Sequence, residues 1–236
     1  MLTATQKLPD WEEVLSSAAR LQKILPDAVL VGGSASAIYA KHRLSTDADH
    51  ILTDLRERFD KVLAELESVA GWVTARVKQP VLILGSLDGI ETGIRQLIRE
   101  EPLETKMIEY KGQRIQIPTE AEILRIKGVL ILKRNKTRDY LDFVALAKHL
   151  GGDNVARALE TFDFLYPQKN RQSPLQQLQT QLANPLPDDL DMLSPRLSEY
   201  KNLQPEWHDW NVVKNACIQL SIMIFDSVCE LQKIHK

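Results

Sequence analysis

An α+β fold, in which a mixed or antiparallel sheet is flanked by helices and followed by a helical C-terminal module, is predicted from three features of the chain. Between Trp72 and Ile117 the sequence runs as short extended segments, WVTARV, PVLILGSL, IETGIRQLI, TKMIEY and RIQIP, divided by Pro80, Asp88-Gly89 and Lys111-Gly112. That is the punctuation of strands and hairpins. On either side lie stretches whose apolar residues recur at helical spacing. Beyond Gly151-Gly152 the chain reads as helical, broken at Pro174, Pro185, Pro187, Pro195 and Pro205, and it finishes in a strongly apolar helix from about Trp210 to Ile234. The expected organisation is one domain over residues 1–150 and a helical module over residues 151–236.

The elements follow in order. Pro9 to Leu25 places Trp11, Val14, Leu15, Ala18, Leu21 and Leu25 at helical spacing and stops before Pro26. Ala28 to Val31 is a short apolar run that reads as a buried strand. Gly32 and Gly33 permit a tight turn, and Ser34 is placed as the cap of a helix running through Ala35 to about Lys41. After an extended His50-Ile51-Leu52, an amphipathic helix is expected from about Asp54 to Val69, closed by Gly71. Thr119 to Glu122 is a capping-box sequence that starts a helix reaching about Lys133, and a second helix runs from near Lys136 to Leu150.

Composition narrows the class. With 236 residues, 44% of them hydrophobic, the chain can bury a core in one domain with a helical extension or in two small domains. No apolar run approaches the roughly 18–20 residues of a membrane span, and MLTATQKLPDWEEV lacks the charged-then-apolar order of a signal peptide. The expectation is a cytoplasmic protein without a membrane partner. Cys217 and Cys229 lie in a helical pattern, which suggests buried packing residues and neither a zinc knuckle nor a disulfide framework. The formal charge of −2 argues against a general nucleic-acid coat, yet residues 106–138 hold nine Lys or Arg and three Glu. As one surface, such a stretch would suit a triphosphate or RNA; the alternative is a solvated helix face with a lysine-rich loop.

Two groups of residues carry chemistry. In VLVGGSASAIYAKHRLSTDADHIL, a Gly-Gly-Ser turn opens a helix and Asp47 and Asp49 follow. Backbone N–H groups and a hydroxyl at a helix start make a phosphate cradle. Carboxylates one residue apart share a face of an extended chain, where together they can hold Mg²⁺. Further along, Lys127 sits among the apolar residues of its helix and must either snorkel or meet an anion. In the next helix Asp139 and Asp142 share a face, and Arg138 stands four residues before Asp142, the spacing of a helix ion pair.

The order strand, Gly-Gly-Ser, helix, Asp-x-Asp resembles the motif of the nucleotidyltransferase superfamily. A lysine in one helix, then a basic turn and RDYLD in the next, resembles the AbiEii-type nucleotidyltransferases, the toxin components of type IV toxin-antitoxin systems. The resemblance covers about residues 27–150 and implies a nucleotidyltransferase-like fold. It makes Gly32, Gly33, Ser34, Lys127 and Arg138 nucleotide contacts, and Asp47 and Asp49 the metal ligands. Lys127 becomes the phosphate cation, Asp139 a second catalytic acid, and Asp142 the residue that orients Arg138 or Lys127. It further implies Mg²⁺ or Mn²⁺, an NTP substrate, transfer to the hydroxyl of an RNA (tRNA-like) or protein acceptor, a toxin-like role and a cognate antitoxin.

Two positions depart from the pattern. His50 stands where an apolar residue is usual; it is expected to be exposed, the alternative being that it faces the nucleotide. The third carboxylate of the superfamily is not marked by the sequence; Glu91, between apolar residues, is the better candidate metal ligand and Asp88, in a turn, the weaker. The alternative reading is a degenerate, non-catalytic nucleotide- or RNA-binding or protein-interaction domain of the same fold. Trp207, His208 and Trp210 could stack on bases, but packing at a helix entry is the expected role.

Overall fold

The structure is a computed structural model and describes residues 9–169, 171–190, 197–198 and 200–234, with side chains to 226 in the last helix. The chain forms two compact units. One comprises Met1–Ala35, Ser45–Ile98 and Thr105–Pro118, the other Ser36–Leu44, Arg99–Glu104 and Thr119–Lys236. The two paired helices before Gly151, expected within the 1–150 domain, therefore group with the C-terminal helices.

In the first unit, α1 (Trp11–Ile24) begins at a capping box in which Asp10 accepts from the Glu13 N–H at 2.9 Å and Glu13 from the Asp10 N–H at 2.8 Å. After α1 come β1 (Val29–Leu30), the start of α2 (Gly32–Ala40), β2 (His50–Leu52) and α3 (Leu55–Glu67). Strands β3 (Trp72–Lys78), β4 (Leu82–Leu87) and β5 (Ile90–Gln96) complete a five-stranded sheet in the order β1-β2-β5-β4-β3. It is mixed, because β2 and β5 run parallel while every other pair is antiparallel. Strands β6 (Thr105–Tyr110) and β7 (Gln113–Pro118) form a separate antiparallel pair. Asp88-Gly89 and Lys111-Gly112 are the hairpin turns, each with both residues at positive φ as primed turns require. Leu21 of α1, Leu25 just after it, and Leu55, Phe59, Val62 and Leu66 of α3 pack with Leu52, Trp72, Ile83, Leu87 and Ile94 of the sheet.

The second unit is helical: α4 (Glu120–Arg134), α5 (Thr137–Leu150), α6 (Gly152–Leu159), α7 (Phe162–Leu165), α8 (Pro174–Ala183) and α9 (Trp210–Ile234). Thr119 caps α4 as expected, its hydroxyl accepting from the Glu122 N–H at 3.2 Å. The reciprocal half of that box is absent. Glu122 is buried and takes the Arg99 guanidinium through two contacts of 2.9 Å, with Arg125 at 3.1 Å. A charged pair on two fixed oxygens outweighs a single cap bond. Phe162 is fully buried, and its ring lies 5.2 Å from that of Tyr166.

Trp207 and Trp210 are buried, and Trp210 meets Tyr140 edge to face at 6.1 Å, so both pack. Cys217 is also buried, which pushes its thiol up to about 12 and makes it unreactive; the Cys229 side chain and His235 lie outside the described residues. Among the described residues no helix is long and apolar enough to cross a membrane.

Truncating Phe162 to Ala removes a fully buried ring from the helical unit and is expected to destabilise it by about 3–5 kcal/mol. A lower urea midpoint for the loss of helical circular dichroism checks this.

Candidate metal and nucleotide site

The site in the first unit is built on backbone pairing. The Val31 N–H donates to Asp49 O at 2.8 Å, and the Ala48 N–H to Glu91 O at 2.9 Å. An isolated parallel bridge pairs Asp47 with Glu91, in register with His50 and Ile94 further along β2 and β5. Alternation then places Asp47 and Asp49 on one face with Glu91, Gly93 and Arg95. Ala48, His50 and Leu52 face the other way, and all are buried.

Asp49 is wedged between two glycines. A Cβ on Gly93 would stand 2.3 Å from Asp49 Oδ1, so no side chain fits there while the carboxylate keeps its place. Gly32 has φ +70°, and a Cβ on it would meet Asp49 Cβ at 3.4 Å. Arg95 Nη2 lies 3.7 Å from Asp49 Oδ1. The Ser45 hydroxyl donates to Asp47 Oδ1.

Ser34 behaves differently from the expectation that it caps the helix and faces a phosphate. Helix α2 already begins at Gly32, Ser34 is fully buried, and its hydroxyl donates to Asp47 O at 2.6 Å. It ties the turn to the Asp-x-Asp segment from behind, while Gly32 and Gly33 are the partly exposed residues of the turn.

His50 is buried, contrary to the exposure expected of it. Nδ1 lies 2.9 Å from Ala48 O, so it carries the proton, and Nε2 is a buried acceptor with no partner among the described residues. Burial lowers its pKa to about 4, with the Ala48 bond acting weakly in the opposite sense.

Glu91 shares the face of Asp47, but its side chain is exposed. Among the described residues no group of three or more His, Cys, Asp or Glu side chains is gathered as a metal cluster. The three-carboxylate set expected from Asp47, Asp49 and Glu91 is not gathered among the described residues, the Glu91 side chain standing in solvent. The residues still fit a Mg²⁺-type ion. Such ions bind through one or two carboxylates with substrate phosphates completing the shell, and the glycine at 93 keeps the space around one of the two carboxylates clear. Asp88 is engaged elsewhere, in an ion pair with Arg20.

The residues predicted from the second motif form a cluster in the helical unit. Lys127 is 1% exposed, with Nζ 2.6 Å from Asp142 Oδ2 and 3.7 Å from Asp139 Oδ1. It meets an anion and does not snorkel. Asp139 is fully buried and receives Arg134 Nη2 at 2.6 Å. Asp142 is fully buried too, and its partners are not Arg138, which is exposed, but Arg43 at 2.8 and 3.0 Å and His42 Nε2 at 2.7 Å. Helix α5 turns its Asp139–Asp142 face inward, so the expected surface pair cannot form. Burial pushes the Asp142 carboxyl up, but Arg43, then Lys127 and the His42 hydrogen bond, hold it well below the usual carboxylate range. That contribution to stability is complete above the unfolded carboxylate pKa and is lost as pH falls toward the depressed folded value. His42 and Arg43 were missed from sequence, where HR after a helix looks like ordinary surface polarity; a histidine and arginine directly before the motif loop were the available signal.

Four of the nine basic residues of the stretch 106–138 are held in ion pairs within their own unit. Arg125 and Lys127 are buried, Arg125 against Glu104 at 2.7 Å and Glu122. Arg134 is paired with Asp139, and Lys111 with Glu12.

No protein-family model matches the chain. It is 29% identical over 232 residues to the probable transport protein MmpL11 of Mycobacterium bovis and to the heme uptake protein MmpL11 of Mycobacterium tuberculosis. The match takes in 92% of this chain, and the chain spans 23% of the length of those relatives. Among solved structures it is similar to ANT(2″)-Ia in complex with adenylyl-2″-tobramycin, at 12% identity and TM-score 0.46, over 63% of this chain and 98% of that one. An antigenic nucleotidyltransferase-like protein from Paracoccidioides brasiliensis is similar at 17% identity and TM-score 0.47, over 80% of this chain and 91% of that one.

Two measurements check the geometry. Gly93→Ala should displace the Asp49 carboxylate and weaken Mn²⁺ binding, read by the electron paramagnetic resonance of free Mn²⁺, with the circular dichroism unchanged. For His50, the unfolded ring takes up a proton below about pH 6.5 while the folded ring stays neutral to about pH 4. Stability should therefore fall with acidification across that window, by up to about 1.4 kcal/mol per pH unit. Denaturant titrations of His50→Leu should lack that slope.

Proposed function

We propose that the chain is a metal-dependent nucleotidyltransferase that moves a nucleotidyl group from an NTP to an acceptor hydroxyl with release of pyrophosphate. The observation that carries the reading is the placement of Asp47 and Asp49 on one face beside the Gly32-Gly33 turn, with Gly93 leaving the space that the Asp49 carboxylate needs. Mg²⁺ or Mn²⁺ would neutralise phosphate charge and polarise the α-phosphorus. Asp47 and Asp49 would hold that ion, and Ser45, donating to Asp47, orients its carboxylate. The N–H of Gly33, in the partly exposed first turn of α2, would donate to a β/γ-phosphate oxygen. The buried Ser34 hydroxyl keeps that turn in register with Asp47.

Lys127 and Asp139 enter this reading through the ion network that orders α4 and α5, and Arg138 is the exposed cation of that motif, open to a phosphate. The AbiEii-type resemblance adds the finer assignments: a toxin-like role, a cognate antitoxin, and an RNA 3′ end or a protein hydroxyl as acceptor. With Arg125, Lys127 and Arg134 drawn into buried ion pairs, RNA rests mainly on the resemblance. One observation favours the second reading, a non-catalytic binder of the same fold: no three-carboxylate group forms among the described residues.

Incubation with α-labelled NTPs, total RNA and protein extract tests the proposal. Transfer of label is expected with the native chain and should fall to background in Asp49→Asn. Removing one of two neighbouring negative charges leaves the metal-free melting temperature unchanged or slightly raised. Equal labelling by the variant sinks the assignment, and nucleotide binding without turnover supports the binder.

A further inference from the structure

We propose that a cleft next to Asp47 is the acceptor site and that it selects a hydroxyl carried close to a cationic nitrogen, as in an amino alcohol or a serine in a basic peptide. This rests on the nucleotidyl-transfer reading above. The first unit contains a cleft of 810 Å³ whose lining includes Glu13, Ser16 and Lys23 of α1, Thr46, Glu91 and Gln113. That volume falls within the range of about 300–1,000 Å³ of sites that hold compact ligands. The cleft reaches the candidate metal site by two routes of known geometry. Thr46 precedes Asp47 in the chain, and Glu91 is bridged to Asp47 across the sheet.

Charge selects the ligand class. Arg20 also lines the cleft, but its guanidinium is engaged by Asp88 and by Ala70 O at 2.6 Å. Glu13 and Glu91 are then opposed by Lys23, which has no ion-pair partner among the described residues. A phosphodiester chain entering here would meet an excess of carboxylates, whereas an ammonium would be attracted. Ser16, Thr46 and Gln113 offer neutral donors and acceptors that suit a hydroxylated ligand.

The step balances without a further reactant. The acceptor oxygen attacks the α-phosphorus, forming the O–Pα bond as the Pα–O bond to the β-phosphate breaks. Pyrophosphate leaves with that electron pair, and the hydroxyl proton passes to the Glu91 carboxylate and on to solvent.

Isothermal titration of the full chain without nucleotide or metal tests the cleft, with diaminopropanol, a lysine-serine pentapeptide and a short single-stranded RNA as probes. Binding of diaminopropanol or of the pentapeptide, and not of the RNA, is expected, and which of the two binds distinguishes a free small acceptor from a protein one. Glu13→Gln keeps an oxygen for the Asp10 N–H and should weaken binding about threefold or more, while Lys23→Gln should strengthen it. Binding of RNA alone, or amine binding indifferent to Glu13→Gln, overturns the proposal. Mn²⁺-dependent NTP binding, measured on the same samples, separates the two readings. NTP binding without amine binding overturns the cleft assignment alone, and amine binding without NTP binding overturns nucleotidyl transfer.

Discussion

The candidate site depends on the approach of the β5 backbone to Asp49. At 2.3 Å from a carboxylate oxygen, even a methyl group at residue 93 is excluded. The approach is enforced from both sides of a very short strand. Strand β2 pairs with residues 29–30 on one edge and with β5 on the other, and the bridge from Asp47 to Glu91 continues the parallel pairing into the motif loop. The register decides which side chains meet. A shift by one residue would turn Asp47 and Asp49 inward and bring His50 to the outer face.

The inner face of the same segment shows what that register costs. His50 sits where an apolar side chain would pack without polar loss, and its Nε2 is buried without a donor among the described residues, a desolvation of about 1–3 kcal/mol. Its Nδ1–H recovers part through Ala48 O. Burial disfavours the charged ring, which lowers its pKa and keeps it neutral.

The helical unit solves the opposite problem, how to bury full charges. Lys127, Arg43, Asp139 and Asp142 would each be expelled alone, since several kcal/mol attend the burial of an unpaired ion. Together they satisfy one another, with His42 and Arg134 closing the remaining positions. Such a cluster tolerates little change in any member, which makes it a device for fixing α4 against α5 more than a source of net stability. The same pairing draws part of the basic stretch inward: Arg125, Lys127 and Arg134 are each held by a buried carboxylate.

The sequence alone determined the elements and much of the site. Strand segments, hairpin turns at Asp88-Gly89 and Lys111-Gly112, the cap at Thr119 and the shared face of Asp47 and Asp49 all follow from local periodicity and backbone preference, which act over a few residues. Tertiary structure decided what local rules cannot reach. It buried His50, turned Ser34 behind the motif turn, left Glu91 apart from a three-ligand cluster, and gave Asp142 to Arg43 and His42 in place of Arg138. Each of these is a choice of partner about 10 to 100 residues away in the chain, made by packing and by the requirement that every buried charge find a counter-charge.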